Sequence, residues 1–300
     1  MKKRKRVFAI FVMIFIFLIT IILGIIFTKS TSLWYFEKMN INKVWTYSKG
    51  KGQIIAFIDT GISRNLEKNI EDKIVYKYNV LEDNMDVSDL HGHGTEMVSI
   101  ISGDDKQNVL GISPDSNLII IKAVSDDGKT DNSYLLKALE IAEKHKATVV
   151  NISLGGFKSD KDVSKQIEKM INKDITIVSS SGDYGNKDLL FPAVDPNVIS
   201  VEACDENLKV CDFSNQSENS VALMPGNNIE ALNIGDNGEL IKGKFSGTSE
   251  ACSITSGYIA LIKSYFASKK ETVDNSELKK ILQETKQSNF DFIKPFSSEN

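Results

Sequence analysis

Ser249 follows a Gly-Thr turn and precedes an apolar run with helical spacing. A serine in the first turn of a helix lies where unpaired backbone N–H groups and the helix dipole favour negative charge on its oxygen. Such charge develops when a serine attacks a carbonyl carbon. Serine is also a common helix cap, so this segment by itself leaves a catalytic and a structural interpretation open.

Two other segments supply an acid and an imidazole. The apolar run at residues 54–58 predicts a buried strand of a parallel sheet that ends at Asp59, and ligands bind at such strand ends. His93 begins a predicted helix that continues to Ile101. Asp59, His93 and Ser249 follow the chain order acid, base, nucleophile, which is one of the known orders of a serine peptidase triad.

Three signatures in this order resemble those of the subtilisin-like serine peptidases. They are Asp-Thr-Gly at residues 59–61, His-Gly-Thr at 93–95 and Gly-Thr-Ser-Glu-Ala at 247–251. Asn-Ile-Ser-Leu-Gly-Gly at 151–156 is similar to the substrate-binding strand of that family, and Phe-Pro-Ala at 191–193 and Met-Pro-Gly at 224–226 resemble its structural landmarks. The resemblance extends from about residue 34 to residue 287.

The resemblance implies roles for these residues. Ser249 would attack a peptide carbonyl, and His93, oriented by Asp59, would accept the proton and return it to the leaving amine. His91 also lies in this segment, but the Gly-Thr pair of the signature follows His93.

The resemblance also implies a site for an extended substrate. Ser153, Leu154 and Gly155 match one edge of that site, and the strand end at residues 122–127 matches the other. Leu190 falls near the base of the primary specificity pocket. A leucine there suits a small apolar residue before the cleaved bond, whereas the acidic residues close by in sequence would suit a basic one.

Asp183 occupies the position at which the family has an asparagine that donates to the oxyanion. An ionised carboxylate only accepts hydrogen bonds. A protonated Asp183, the Asn186 side chain, or backbone N–H groups such as that of Ser249 would each supply a donor instead. We therefore expect a slow, selective peptidase, favoured at acid pH if a protonated Asp183 is the donor. The alternative is a weak or inactive subtilase that acts as a membrane-tethered peptide-binding protein.

The pattern of the chain predicts an α/β fold. Apolar runs and helical patterns alternate up to residue 180, which indicates a mainly parallel sheet covered by helices on both faces, the subtilisin-like three-layer arrangement. Shorter strands are predicted at 198–203, 210–213 and 221–223, then a polar loop at 227–244. With 41% hydrophobic residues and a net charge of −4, the composition is that of a globular domain without affinity for nucleic acid. We expect a monomer.

The N-terminus predicts a membrane anchor. Five basic residues at 2–6 precede 21 uncharged residues at 7–27, which are enough to span a bilayer. The basic cluster should stay in the cytoplasm, so that the rest lies outside the cell membrane. The predicted domains are thus 1–27, the basic N-terminus and transmembrane signal anchor; 28–52, a linker and the start of the catalytic domain; and 53–300, the peptidase domain. A cleavable signal peptide is the alternative.

Between this span and the first strand no folding prodomain fits. A small, anchored subtilase of this kind resembles the leader peptidases that trim lantibiotic and related bacteriocin precursors. The resemblance therefore implies limited processing of an exported peptide.

No cofactor is expected. The acidic segment that contains Glu82, Asp83, Asp86 and Asp89 predicts a solvated surface loop, with a cation site as the alternative. The stretch at 103–114 resembles a shortened form of a loop that binds calcium in many subtilases, so calcium is possible without a recognisable loop. Cys204 and Cys211 are two buried apolar residues or, in an exported domain, a disulfide.

Overall fold

The computed structural model describes residues 33–287 and 290–297. A seven-stranded sheet in the order β2-β3-β1-β4-β5-β6-β7 lies at the centre, and all its pairings are parallel. Its strands are β1 (Ile54–Asp59), β2 (Ile74–Asn79), β3 (Asn117–Lys122), β4 (Val149–Ile152), β5 (Thr176–Ser180), β6 (Ile199–Cys204) and β7 (Ala222–Pro225). The prediction of an α/β fold with a mainly parallel sheet is confirmed.

Helices cover both faces of this sheet. They are α1 (Trp34–Lys38), α2 (Ile41–Val44), α3 (Arg64–Asn69), α4 (His93–Ser102), α5 (Asn132–Lys144), α6 (Lys161–Ile171), α7 (Thr248–Ser268), α8 (Asn275–Gln287) and α9 (Lys294–Ser297). Helices α4, α7 and α8 share one apolar core with one face, and α5 and α6 pack on the other. Because β1 and β3 are covered on both sides, their central residues form continuous apolar runs.

Side-chain caps fix where several helices begin. The Asp131 carboxylate accepts hydrogen bonds from the backbone of Ser133 and Tyr134 at the start of α5. Asp160 does the same at the start of α6. Helix α7 differs because it is buried along most of its length, which is the pattern of a helix in the middle of a core.

The predicted polar loop at 227–244 is wrong. This segment contains an antiparallel hairpin of β8 (Ile229–Ile234) and β9 (Leu240–Phe245). Strand β8 packs on α4, where the Leu232 N–H donates to Ser99 Oγ at 2.9 Å. Strand β9 is largely exposed, so its alternation of apolar and polar residues is too weak to reveal a strand.

The predicted strand at 210–213 is also wrong. Val210 forms only an isolated bridge with Cys204. The chain then turns, because the Ser214 N–H donates to the Cys211 carbonyl and Ser214 Oγ accepts from the Ala203 N–H. This turn ends the pairing between the two segments soon after the bridge.

The N-terminal part of the described chain belongs to the folded domain. Tyr35 and Phe36 of α1 are buried, and the Trp34 indole donates to the Asn227 carbonyl at 3.0 Å. Among the described residues, no helix has both the length and the apolar character needed to cross a bilayer. The span predicted at residues 7–27 lies outside the described residues.

Candidate active site

The candidate residues meet at one edge of the sheet. Asp59 ends β1, Ser153 follows β4 directly, and Asp183 comes just after β5. These three strands are neighbours and run parallel, so their carboxyl ends lie side by side. The two helices that begin at this edge, α4 and α7, carry His93 and Ser249 in their first turns.

Asp59 and His93 form a close pair. The Asp59 Oδ1 atom lies 2.7 Å from His93 Nδ1 and also accepts the Thr60 N–H at 2.7 Å. Asp59 Oδ2 is buried without a hydrogen-bond partner among the described residues. Burial by itself lowers the pKa of the imidazole, but the charge and the hydrogen bond of Asp59 outweigh it and raise the pKa of His93 to about 9.

Asp89 orients the helix that carries His93. Its carboxylate accepts from the backbone N–H of Gly92 at 2.8 Å and from both the N–H and the hydroxyl of Thr95, at 2.9 and 2.7 Å. Burial would raise the pKa of this carboxyl, but these hydrogen bonds lower it overall. The assignment of Asp89 to a solvated loop is therefore wrong, because the side chain is buried and caps α4. His91 is exposed beside this turn.

Ser249 lies at the start of α7 and is partly exposed. Its hydroxyl donates to the Ser153 carbonyl at 3.3 Å, and the Ser153 hydroxyl donates to the Ser249 carbonyl at 3.3 Å. The first N–H groups of a helix have no acceptor within it, so the Ser249 N–H is available to an oxyanion. A serine at the start of a helix, at the same edge of the sheet as an imidazole that a buried carboxylate holds, has the chemistry to attack a carbonyl carbon.

Asn151 is a site residue whose role the sequence did not reveal. It lies fully buried in β4, where its Nδ2 donates to Ser153 Oγ at 2.9 Å. Its Oδ1 accepts from Ser256 Oγ at 2.9 Å and from Cys252 Sγ at 3.3 Å. Asn151 therefore joins the strand that carries Ser153 to helix α7. An asparagine in an otherwise apolar strand is the signal that could have indicated this role.

The Asp183 side chain is bound to the start of α7. Its Oδ1 accepts the Thr248 N–H at 2.8 Å, and the Thr248 hydroxyl accepts the Gly182 N–H at 3.2 Å. Asn186 lies in the same loop, but its side-chain oxygen accepts the Asp188 N–H at 3.0 Å. Asp183 is thus next to Ser249 in space, whereas the Asn186 side chain is engaged within its own turn.

Leu190 lies between two glycine backbones at the same edge. A Cβ atom added to Gly155 would lie 2.9 Å from the Leu190 side chain, and one added to Gly182 would lie 2.8 Å from it. The two segments that carry these glycines therefore approach closely over the leucine. A cavity of about 450 Å³ extends beside them and is lined by Thr130, Asp131, Asn132, Ser133, Leu135, Leu154, Gly155, Gly156, Phe157, Lys158, Asp160 and Phe191.

The described residues include no group of three or more His, Cys, Asp and Glu side chains that could hold a metal ion. The expectation of no cofactor stays a prediction. Cys204, Cys211 and Cys252 are free thiols in the structure and are buried. Burial raises the pKa of Cys211 to about 11 and that of Cys252 to about 12, so neither is a ready nucleophile at neutral pH.

The sequence is similar to known proteins of one family. The profile of the Subtilase family matches residues 50–297. An intracellular serine protease of Paenibacillus polymyxa is 27% identical over 76% of this chain and 71% of its own length. The major intracellular serine protease of Bacillus subtilis (strain 168) is 28% identical over 72% of this chain and 70% of its own length.

The minor extracellular protease Epr of the same bacterium is 28% identical over 77% of this chain and 35% of its own length. The relatives thus include proteases named as intracellular and as extracellular. Since the family profile spans most of the chain, the protein belongs to the subtilase family and is a serine endopeptidase.

Proposed function

We propose that the chain is an endopeptidase with an Asp59–His93–Ser249 triad, anchored in the cell membrane, that carries out limited cleavage of an exported peptide. The main observation in support is the 2.7 Å contact between Asp59 and His93 at the sheet edge where Ser249 begins α7. This contact supports the proposal because the reacting groups of a triad must be aligned before the reaction begins.

In the proposed reaction the Ser249 hydroxyl turns from the Ser153 carbonyl, to which it donates in the structure, toward His93. Ser249 Oγ attacks the peptide carbonyl carbon while its proton passes to Nε2 of His93, whose Nδ1–H stays bonded to Asp59. The tetrahedral intermediate collapses, the C–N bond breaks, and His93 gives the proton to the leaving amine. Water then attacks the acyl-enzyme with His93 again as base, which releases the carboxylic acid and restores Ser249.

The oxyanion would be stabilised mainly by the Ser249 N–H at the start of α7. Asp183 accepts the Thr248 N–H and, when ionised, has no proton to donate, and Asn186 Oδ1 accepts the Asp188 N–H within its own turn. Loss of one donor typically lowers turnover by about 10² to 10³. This supports the expectation of a slow enzyme.

The side chains around the cleft support the proposal that the enzyme is selective. Leu190 fills the space between Gly155 and Gly182, which favours a small apolar residue before the cleaved bond. Phe157 and Tyr184, which are 75% and 65% exposed, lie with their ring centres 5.4 Å apart and join the two loops near that cleft. An extended peptide would pair with the backbone at 153–155, whereas a folded protein would meet these rings first.

The proposed place of action rests on the N-terminal pattern, and the proposed substrate rests on the resemblance to leader peptidases. With basic residues at 2–6 and an apolar stretch at 7–27, the catalytic domain would lie outside the cell membrane. There it would meet exported peptides, such as a lantibiotic or bacteriocin precursor that still carries its leader.

A fluorophosphonate probe tests the catalytic part of this proposal. We expect covalent labelling at Ser249 in the parent chain and its complete loss in Ser249→Ala, with Ser268→Ala, an exposed serine at the other end of α7, as the control. Binding of an unmodified peptide without any labelling of Ser249 would instead support the alternative of an inactive peptide-binding protein. Leader cleavage is tested separately, by comparing a leader-bearing precursor with casein; indiscriminate digestion of casein would contradict limited processing.

A further inference from the structure

Glu96 and Glu250 form a buried pair of carboxyl groups between α4 and α7. Each residue is 5% exposed, and the two carboxyl groups lie within hydrogen-bonding reach of one another. Glu96 lies one helical turn after His93, and Glu250 directly follows Ser249. The pair therefore joins the first turns of the two helices that carry the proposed base and nucleophile.

The surroundings of the pair are polar or acidic. Glu96 Oε2 accepts from Asn233 Nδ2 of β8 at 3.0 Å. A Cβ on Gly247 would lie 2.6 Å from Glu250 Oε2 and 3.4 Å from Asp183 Oδ2, so Asp183 faces the pair from the loop after β5. His93 faces it from α4, and its charge acts on both carboxyls.

Within the described part of the chain, no lysine or arginine neutralises the two carboxyl groups. None of the ion pairs within the described residues involves Glu96 or Glu250. Two carboxylates in contact repel each other, and burial adds the cost of removing both charges from water. Such a pair shares one proton, as in other carboxyl dyads.

The protonation state follows from this environment. Burial first, and then the hydrogen bond with Glu250, raises the pKa of Glu96 to about 9, and burial raises the pKa of Glu250 as well. Two carboxyl groups in contact keep at least one proton between them at neutral pH, because two buried carboxylates repel each other, and a negative charge on the other carboxyl would accept a hydrogen bond from it. The charge lies near the first turn of each helix, where the helix dipoles favour it, and a hydrogen bond to a charged oxygen is a strong one.

We propose that Glu96 and Glu250 are positioning residues, whose shared proton holds the first turn of α4 against the first turn of α7 and so sets His93 relative to Ser249. The inference rests on the proposed function, because this alignment matters only if the two side chains react together. When the shared proton is lost at alkaline pH, the two carboxylates repel and the alignment is lost.

The test compares carboxyl-to-amide variants of the full chain in detergent. Glu96→Gln keeps a donor toward Glu250 and cannot ionise, and the double variant Glu96→Gln/Glu250→Gln removes the charge altogether. Glu96→Ala removes the contact. Glu143→Gln, which removes a carboxylate that pairs with Lys169 and Lys173 on α6 and after it, is the matched control. For each protein, kcat and KM for a short peptide substrate, the rate of fluorophosphonate labelling and the unfolding temperature are measured across pH.

Glu96→Gln should keep kcat at neutral pH and retain it to higher pH than the parent. Glu96→Ala should lower kcat about tenfold or more with KM within about twofold, because misplaced reacting groups affect turnover strongly. In the double variant, the rise of activity with pH should occur at lower pH, since a negative charge near His93 is gone. Glu143→Gln should behave as the parent.

Two results would overturn the inference. One is an alkaline limb of the pH profile, where kcat falls as pH rises, that lies at the same pH in Glu96→Gln as in the parent. The other is a Glu96→Ala variant with the same kcat as Glu143→Gln. If Glu96→Ala does not fold, as its unfolding temperature would reveal, the alkaline limb of Glu96→Gln decides alone. Absence of labelling at Ser249 in the parent would overturn the proposed function and this inference together, whereas an active parent with insensitive glutamate variants overturns the inference only.

Discussion

The contact between Asp183 and Thr248 decides what a side chain at this position can do. Asp183 uses one carboxylate oxygen to accept the Thr248 N–H at 2.8 Å, which leaves Oδ2 as a second acceptor close to the start of α7. An asparagine could accept the same N–H through its carbonyl oxygen and present its NH₂ group in place of Oδ2. The acidic residue thus keeps the structural bond of the loop but lacks the donor.

Asp183→Asn is expected to raise kcat by about 10-fold to 100-fold, because one donor to an oxyanion is worth about 10² to 10³ in turnover. Peptide hydrolysis by the variant and the parent at one pH measures this. The control is Asp188→Asn, which removes an exposed carboxylate from the same loop. A tenfold loss of activity in Asp183→Asn would mean that the carboxylate has a positive role.

The protonation of His93 sets the pH dependence. Its pKa is raised to about 9, chiefly because the charge and hydrogen bond of Asp59 outweigh the effect of burial. Only the neutral imidazole accepts the Ser249 proton, so the labelling rate should rise as pH increases from 6 toward about 9, about tenfold per unit. Preference for acid pH, which would follow from a protonated Asp183 as donor, is not expected from this value. A labelling rate that is flat between pH 6 and 9 would contradict the Asp59–His93 pairing.

Among the elements, helix α4 depends on a cap that lies outside it. Asp89 replaces the missing acceptors at the start of the helix with its carboxylate, and Gly92 takes φ +97°, a backbone conformation that favours glycine. Strand β8 supports the other side of α4 through Leu232 and Asn233. The orientation of His93 therefore depends on a loop and a hairpin that are distant from it in the sequence.

Asp89→Ala should lower the free energy of unfolding by roughly 1–3 kcal/mol, because buried N–H groups of Gly92 and Thr95 lose their acceptor. The pKa of Asp89 is lowered in the folded state, so its contribution is present above its ordinary pKa of 3.8 and is lost as pH falls. The difference between variant and parent should therefore shrink in acid.

Urea unfolding at pH 7 and in acid measures this difference. Glu82→Ala is the control, since it removes an exposed carboxylate from the same acidic segment. A variant as stable as the parent at pH 7 would show that Asp89 does not cap α4.

For the whole molecule, the proposed membrane anchor predicts the side of the membrane on which the catalytic domain lies. Added protease should digest residues 28–300 on intact cells and leave the basic extreme N-terminus protected, because basic residues are retained on the cytoplasmic side. Blots with a tag at each end measure this, and disruption of the cells provides the control. A soluble product that begins near Thr31 would show instead that residues 7–27 are a cleaved signal peptide.

Much of the architecture could be predicted from local pattern. Continuous apolar runs such as 54–58 indicated strands covered on both faces, because this signal lies within the strand itself. The hairpin at 229–245 was missed since one of its strands faces solvent and the other is stabilised by α4. The hydrophobic periodicity of one segment carries no information about a second segment that packs on it from a distant part of the chain.

The sequence by itself determined which residues have the chemistry and the order of Asp59, His93 and Ser249, since motif spacing and family resemblance are properties of the chain. Only the tertiary structure decided that Asp89 is a buried cap, that Asp183 binds the Thr248 N–H, and that Glu96 and Glu250 meet. Each of these depends on hydrogen bonds and charges between segments that folding brings together. The character of an acidic side chain depends on its burial and its partners, and those exist only after the chain has folded.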